Sequence, residues 1–580
     1  MNDKILKRIE EKGISTVIGS ILLIVLVIGV VAGIYSYIGD TNLSGETTPQ
    51  AQLQTKIEGD NLILSHNGGE TVNLDKLSMT INNESYSFSD TGNLKSGQSI
   101  QETLPYNIEK EKVSIIYDKD VKLTETEEIT TKTVEEKIVK DWHDLNNIKD
   151  NLQENYILMN NLDENSAGYN DLVNTDNGWK PIGDDDNIFK GQLKGNDYKI
   201  KDLYIENMKS NVGLFGYTGK GCIIKNLTIK NSEVTGGGEI GTLIGTQNYG
   251  DIKNIKIING KITSDDSQVG GMVGQNPHGS IKDSSVIDTK IESSYSFSDS
   301  YGGLIGYSEG EILNSHVENI TLNDYGMYGG GLVGRLSDTI ENSYAIDISF
   351  NSNVSGGLIG KLGGDVKNSY VENVDFNGEG NEIGGLISET AGGNVENSYA
   401  ITKNLNVSNG ERIGGLIGKN EDTIVKNSYA INENIHTNNV NDTGGLVGGN
   451  GIDSDSGEII NCYAVSENIT GDSTDTGELI GRNKGEVEDS FSFENSHDYD
   501  LIGNTAYSDE SGRVMSVSID NLKNIRLYTD NDYNGYDNLE ESWDIKNVND
   551  SSDRDNSHIW NIDNGNTYPF LSYQEEVYYL

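Results

Sequence analysis

Basic residues, cysteine, proline and histidine are all scarce in this sequence, and the shortages remove whole classes of function. Acids outnumber bases by 91 to 43, a formal net charge of −48. Phosphate backbones are held by basic faces, so nucleic acid is excluded as a partner. A strongly acidic exterior suits a soluble, mutually repelling surface that can hold cations. The two cysteines, Cys222 and Cys462, belong to no CxxC or Cys/His cluster. The seven histidines are scattered and no nucleophile motif is present, so the chain is read as a non-enzyme. Proline contributes 5 residues and apolar residues only 34%, a composition that by itself leans towards disorder.

What is present overrides that leaning. From Val212 to Glu494 one short phrase recurs ten times; a clean copy is GGLIGKLGGDVKNSYVENVDF, Gly356 to Phe376. Its leucine-type position falls at Leu214, Leu243, Met272, Leu304, Leu332, Leu358, Leu386, Leu416, Leu446 and Leu479, in steps of 26 to 33 residues. That period belongs to solenoids and related arrays. Each copy holds two short apolar runs and usually a third, separated by Gly, Asn, Asp and Ser, which reads as strands joined by turns. One copy cannot bury its own apolar face, but stacked copies can. The array therefore predicts a parallel β-helix about 50 Å long at a strand spacing of ~4.8 Å. Cys222 and Cys462 then lie eight coils apart, about 40 Å, beyond disulfide reach.

Two rows follow from the register. Asn226, Asn254, Asn314, Asn342, Asn368, Asn397, Asn427 and Asn461 are equivalent, with Asp283 and Asp489 completing the series. The favoured reading is an asparagine ladder that satisfies turn backbone and the neighbouring coil; the alternative is a track for a ligand or cation. The adjacent row, His316, Tyr344, Tyr370, Tyr399, Tyr429, Tyr463 and Phe491, is an aromatic stack, either packed or presented to a glycan.

The G-G-L-I-G and N-S-Y-A phrases closely resemble the GLUG motif of bacterial and archaeal surface proteins. The resemblance implies a mainly β protein with a right-handed parallel β-helix over 212–494, an adhesin-like role and no catalytic residue. A lead-in of cap and irregular coils over 141–211 and a capping region over 495–580 also match such proteins.

At the other end, Lys4, Lys7, Arg8 and Lys12 precede Ile14 to Ile38, which is apolar and uncharged. That run is long enough to span a bilayer, with the N-terminus cytoplasmic and the remainder outside. It is too long for a secretory signal, and no A-x-A site follows. A plain signal anchor is one reading. The other rests on EKGISTVIGSILLIVLVIGVVAGIYSYIG, which resembles the N-terminus of archaeal type IV pilins. The resemblance implies a leader over 1–13, prepilin peptidase cleavage between Gly13 and Ile14, and a membrane or filament-core helix over 14–39. Position five of the mature chain is Ile18, where bacterial pilins carry Glu. The segment HNGGETVNLDKLSMTIN resembles the β-sandwich headgroup of the same pilins, expected over 51–123. A charged linker, 124–140, separates it from the repeats. Trp142 to Leu152 has helical spacing and is expected to cover the open end of the solenoid. The chain ends without a second hydrophobic span, so anchoring is expected from the N-terminus alone.

Asp530, Asp532, Asn534 and Glu541 satisfy the D-x-D-x-N-G spacing of a calcium loop with its distal Glu, and calcium is the one cofactor the sequence suggests. Asp537 stands where that motif prefers an aliphatic residue, and an ordinary acidic loop is the competing reading. Sequons stand at Asn42, Asn83, Asn226, Asn319, Asn353, Asn406, Asn441, Asn468 and Asn549. Together these features predict a cell-surface adhesin held in the membrane or a pilus, with other pilins and a surface or glycan ligand as partners. A structural filament subunit is the alternative, and a polysaccharide lyase or hydrolase a third.

Overall fold

The computed structural model describes residues 49–577, leaving aside 50, 59–60, 82–83, 89–90, 104–113, 118–120, 126–135, 265–267, 294–299, 324–326, 351–354, 495–498, 505–508 and 575–576. The leader, the Gly13–Ile14 junction, the helix expected over 14–39, and Asn42, Asn83 and Asn353 lie outside the described residues. Among the described residues no helix is long and apolar enough to cross a membrane.

The chain divides into two compact units, 1–134 and 135–580. In the first, Ala51–Glu58, Asn61–Gly69 and Ser99–Thr103 form one antiparallel sheet. Leu77–Ile81, Glu84–Ser87, Ser114–Tyr117 and Val121–Glu125 form another. Alternation puts Leu62 and Leu64 of one sheet, and Met79 and Ile115 of the other, into a shared core with Val72, Leu74 and Leu94.

The second unit is a β-solenoid of about ten turns. Parallel pairing begins with Glu136–Val139 against Asn155–Leu158 and continues to Met515–Val517. The ladder thus takes in the last residues of the expected linker and the first part of the expected C-terminal cap. A representative coil contains Ile359–Leu362, Val366–Lys367, Tyr370–Glu379 and Glu382–Gly384. Leu358, Ile359, Leu362, Val366, Val371, Val374, Phe376 and Ile383 all point inward and are buried. Each such side chain contributes about 1.5–3 kcal/mol of burial. Most of the leucines follow a glycine pair that stacks tightly: a Cβ on Gly357 would sit 2.0 Å from the Gly385 carbonyl oxygen of the next coil, although Thr242 and Glu478 stand at the equivalent position in two other coils.

The expected helix over 142–152 is one α turn, Trp142–Asn146, followed by a 3-10 turn, Asn147–Asp150. Asp141 caps it by accepting from the Asp144 N–H at 3.0 Å. Trp142, Leu145 and Ile148 are buried at the first end of the core. After Val517 come short helices, Ile519–Leu522 and Arg526–Thr529, and a small sheet of Ile545–Asn547, Trp560–Ile562 and Phe570–Leu571. These elements lie along the side of the last coils as well as near their end. The Tyr429 hydroxyl donates to Gln574 Oε1 at 2.7 Å, and the Tyr463 hydroxyl to the Pro569 carbonyl at 2.5 Å. Tyr573 donates to the Asn397 carbonyl at 2.8 Å. The cause is apolar: Tyr399, Tyr429, Tyr463 and Phe491 project outward from their coils and form a second core with Trp543 and Trp560.

Candidate binding surface of the solenoid

The asparagine row is a ladder. Asn226, Asn254, Asn314, Asn342, Asn368, Asn397, Asn427 and Asn461 all have φ between 47° and 56°. Asn tolerates this left-handed conformation better than most residues, which explains its selection at the corner. The Nδ2 groups of Asn342, Asn368, Asn397 and Asn427 each donate to Oδ1 of the preceding coil at 3.2–3.3 Å. Asn254 and Asn314 do so to Asn226 and Asp283 at 3.0 and 3.1 Å. A second row five residues on, Asn231, Asn259, Asp288, Asn319, Asp347 and Asn373, repeats the conformation. Asn319 donates to Asp288 at 2.7 Å, which ties up the nitrogen of one sequon. Asn468 Nδ2 is similarly engaged by Asn434 Oδ1 at 3.2 Å, Asn406 is half-buried, and Asn441 and Asn549 are exposed.

Between corner and aromatic row runs a serine ladder that pattern reading missed. The N–H groups of Ser315, Ser343, Ser369 and Ser398 donate to the Oγ of Ser343, Ser369, Ser398 and Ser428 at 3.1–3.3 Å. Cys462 occupies this row, its N–H donating to Ser490 Oγ at 3.1 Å. Burial pushes the Cys462 thiol up to about 12, and the Cys222 thiol upward as well. Both are structural thiols.

The aromatic row is packed. From His316 to Tyr463 consecutive rings lie 4.6–5.0 Å apart with interplanar angles of 4–12°. Neighbouring rings cover each other's faces, so only edges turn outward. Tyr399, Tyr429 and Tyr463 are buried beneath the C-terminal elements, whereas His316, Tyr344 and Tyr370 are half-buried.

The calcium-like loop is organised around a protein cation. Arg513 is fully buried, and its guanidinium donates to the carbonyls of Leu527 (2.5 Å), Asp530 (2.9 Å), Asn531 (3.3 Å) and Asp537 (2.7 Å). The Asp530 carboxylate pairs with Arg526 at 2.5 Å and accepts from the Thr529 hydroxyl at 3.0 Å, bonds that hold it below the usual carboxylate range. Asn534 Nδ2 donates to Asn521 at 3.4 Å, while the Glu541 N–H donates to Asp489 at 3.1 Å. Asp532 is exposed. Among the described residues no group of three His, Cys, Asp or Glu side chains is arranged to hold a metal ion.

An open surface groove of about 550 Å³ lies on the early coils. Its lining includes a glycine from each of four consecutive turns: Gly221, Gly250, Gly279 and Gly310. A Cβ on Gly310 would lie 1.9 Å from the Gly279 carbonyl oxygen, and one on Gly250 2.6 Å from the Cys222 carbonyl oxygen. Close stacking thus keeps side chains off Gly250 and Gly310, while Asp338 stands in register with Gly310 on the next turn. Lys220, Tyr249, His278 and Glu309 immediately precede these glycines, while Asp251, Ser280 and Glu311 follow on the other side. The Tyr249 and His278 rings lie 4.8 Å apart at 34°, and both are exposed. Glu311 pairs with Lys282 at 3.0 Å, and Asp251 accepts from the Ser280 hydroxyl at 2.6 Å. The signal was present in the sequence as K-G-C, Y-G-D, H-G-S and E-G-E at coil spacing.

A charged row marks the later coils. Glu382, Arg412, Asp442 and Asp475 stand in register on successive coils. Arg412 meets Glu382 at 2.9 Å, and Arg482 meets Asp442 at 3.0 Å and Asp475 at 2.8 Å. Asp442 is 1% exposed. Burial raises its carboxyl to about 6, and Asp475 adds to this while Arg482 and Arg412 oppose it.

No family model matches the chain. Over 83 residues it is 37% identical to a protein of Evansella cellulosilytica described as a Gly-rich membrane protein, covering 14% of this chain and 10% of that one. Over 73 residues it is 38% identical to a halomucin of Haloquadratum walsbyi, covering 12% of this chain and 1% of the relative. An uncharacterised protein of Archaeoglobus fulgidus is 33% identical over 79 residues, 13% of this chain and 56% of that one. The matches thus span a tenth or less of the first two relatives. Among solved structures, a family 28 exopolygalacturonase of Yersinia enterocolitica aligns over 75% of this chain and 99% of that one at 10% identity, with a TM-score of 0.18.

Proposed function

We propose that this is a cell-surface attachment protein whose acidic solenoid presents a binding face and carries out no chemistry. The observation that carries the reading is the open groove on the solenoid's flank, elongated across successive coils rather than closed around a small molecule. A match to a protein named as a membrane protein is compatible with a surface location. The apolar run from Ile14 to Ile38 supplies the anchor. In this reading the N-terminal unit is a pilin-like headgroup, the repeats are GLUG coils wound in a right-handed sense, and the chain is cut between Gly13 and Ile14.

Attachment of cells lacking the protein, and of cells given it back, is the direct test. Loss of attachment restored by the full chain supports the proposal. Unchanged attachment to several surfaces, with ordered filaments dependent on the protein, would make it a structural subunit. Mass spectrometry of the membrane-extracted N-terminus separates the anchors: a chain starting at Ile14 supports filament-type processing, and one starting at Met1 a plain anchor.

A further inference from the structure

We infer that the groove over Gly221, Gly250, Gly279 and Gly310 binds a linear polysaccharide free of acidic groups. The inference rests on the attachment reading and names the ligand class of that face. Four features of the groove point to this class.

The first is shape. The lining residues come from five consecutive turns, those of Lys220, Tyr249, His278, Glu309 and Asp338. Four coil spacings of ~4.8 Å give a trough about 19 Å long, running across the strands. A trough of that form accommodates several successive units of an extended polymer, whereas a compact ligand would use only a fraction of it.

The second is the glycine row. A Cβ at Gly250 or Gly310 would meet the carbonyl oxygen of the preceding turn, and one at Gly279 the Gln247 side chain, so the trough stays open over those turns. Its form is therefore present before any ligand arrives, which limits the ordering cost of binding.

The third is the ring pair. Unlike the flat stack from His316 to Tyr463, Tyr249 and His278 are tilted by 34° and sit in the open, so ring face remains available. Tyr249 is 40% exposed, unusual for a large side chain in this molecule. An aromatic face matches the apolar C–H face of a sugar ring, while the rim groups Ser280, Asp251, Glu309 and Glu311 can exchange hydrogen bonds with its hydroxyls.

The fourth is charge. Asp251, Glu309, Glu311 and Asp338 face the groove against a single Lys220. In a molecule of net charge −48 this repels uronate, sulfate and phosphate polymers. The same repulsion separates this ligand from polygalacturonate.

The test is affinity electrophoresis and calorimetry of the full chain with hydroxyethylcellulose as the neutral probe and polygalacturonate as the acidic one. Retardation by the neutral polymer alone is expected, with Tyr249→Ala weakening binding about tenfold and Tyr249→Phe retaining it. Met327→Ala, at an exposed side chain outside the groove, should leave binding unchanged. Equal binding by Tyr249→Ala, preference for polygalacturonate, or release of shortened chains would each overturn the inference. So would no binding to the neutral polymer. If the cells still attach through the protein in that case, the attachment reading stands and only the groove assignment falls; if attachment is also absent, both fall.

Discussion

At the residue scale, the solenoid selects asparagine for two properties at once: tolerance of a left-handed backbone and an amide that both donates and accepts. The two can be separated at Asn368, where φ is 47° and the amide bonds Asn342 at 3.2 Å and Asn397 at 3.3 Å. Asn368→Ala is expected to destabilise the chain by about 1–2 kcal/mol from backbone conformation alone, with the lost ladder bonds adding to this. Asn368→Gly should be milder, since glycine restores the conformation but not the bonds. Urea midpoints give both values; equal losses would show that the ladder bonds dominate. The asparagine corner was legible in the sequence because ten spaced copies expose a single position. The serine ladder was not, because serine is equally at home in any solvated turn and only the Oγ-to-backbone geometry across coils distinguishes it. The calcium-like loop marks the opposite limit. Its spacing satisfied a motif, yet its carbonyls converge on Arg513, a residue 17 positions before Asp530 that no pattern connects to it.

At the element scale, two features make measurable demands. The first is the charged row around Asp442. Its folded carboxyl titrates near 6, above the ordinary aspartate value of about 3.9 in an unfolded chain, so the folded state binds more protons between those values. This group's contribution to stability is therefore fully present in acid and is lost as pH rises from about 4 to about 6. Asp442→Asn should flatten that part of the profile, compared as urea midpoints at pH 4.5 and 7. An unchanged slope would assign it to other carboxylates. The second is the C-terminal elements. Ending the chain after Val517 removes Trp543, Trp560 and Tyr573 and uncovers Tyr399, Tyr429, Tyr463 and Phe491. The truncated chain should bind a hydrophobic dye and associate in solution, as a contiguous apolar patch does. A monomeric, dye-silent product would show that the stacked rings need no cover. Aromatic spacing announced the stack, but whether its outer edge was covered depended on residues 37 to 174 positions further along, from Phe491 to Tyr528 and from Tyr399 to Tyr573.

At the scale of the whole molecule, a solenoid's stability is close to a sum over coils and their neighbours. Deleting Gly356 to Ile383 removes one complete turn and brings Ser355 to Gly384, preserving the stacking register on both sides. The product should remain folded, shorter by about 4.8 Å, with Tyr344 facing Tyr399. Circular dichroism and small-angle scattering check this; deletion of half as many residues should destabilise it far more, because the shortened coil can no longer close and pair with the coils on either side.

The sequence by itself determined the solenoid, its asparagine corners, its inward leucines and its acidic exterior, because each depends on a local pattern repeated in register. It also placed an apolar segment ahead of the described residues. Only the tertiary structure decided where parallel pairing starts and stops, how the aromatic edge is covered, which carbonyls of the calcium-like loop Arg513 holds, and that four glycines align into a trough. Those outcomes rest on contacts between residues whose separation carries no period, or on side chains that are missing rather than present. A repeat records what recurs between neighbouring coils; a surface is made by what each coil varies.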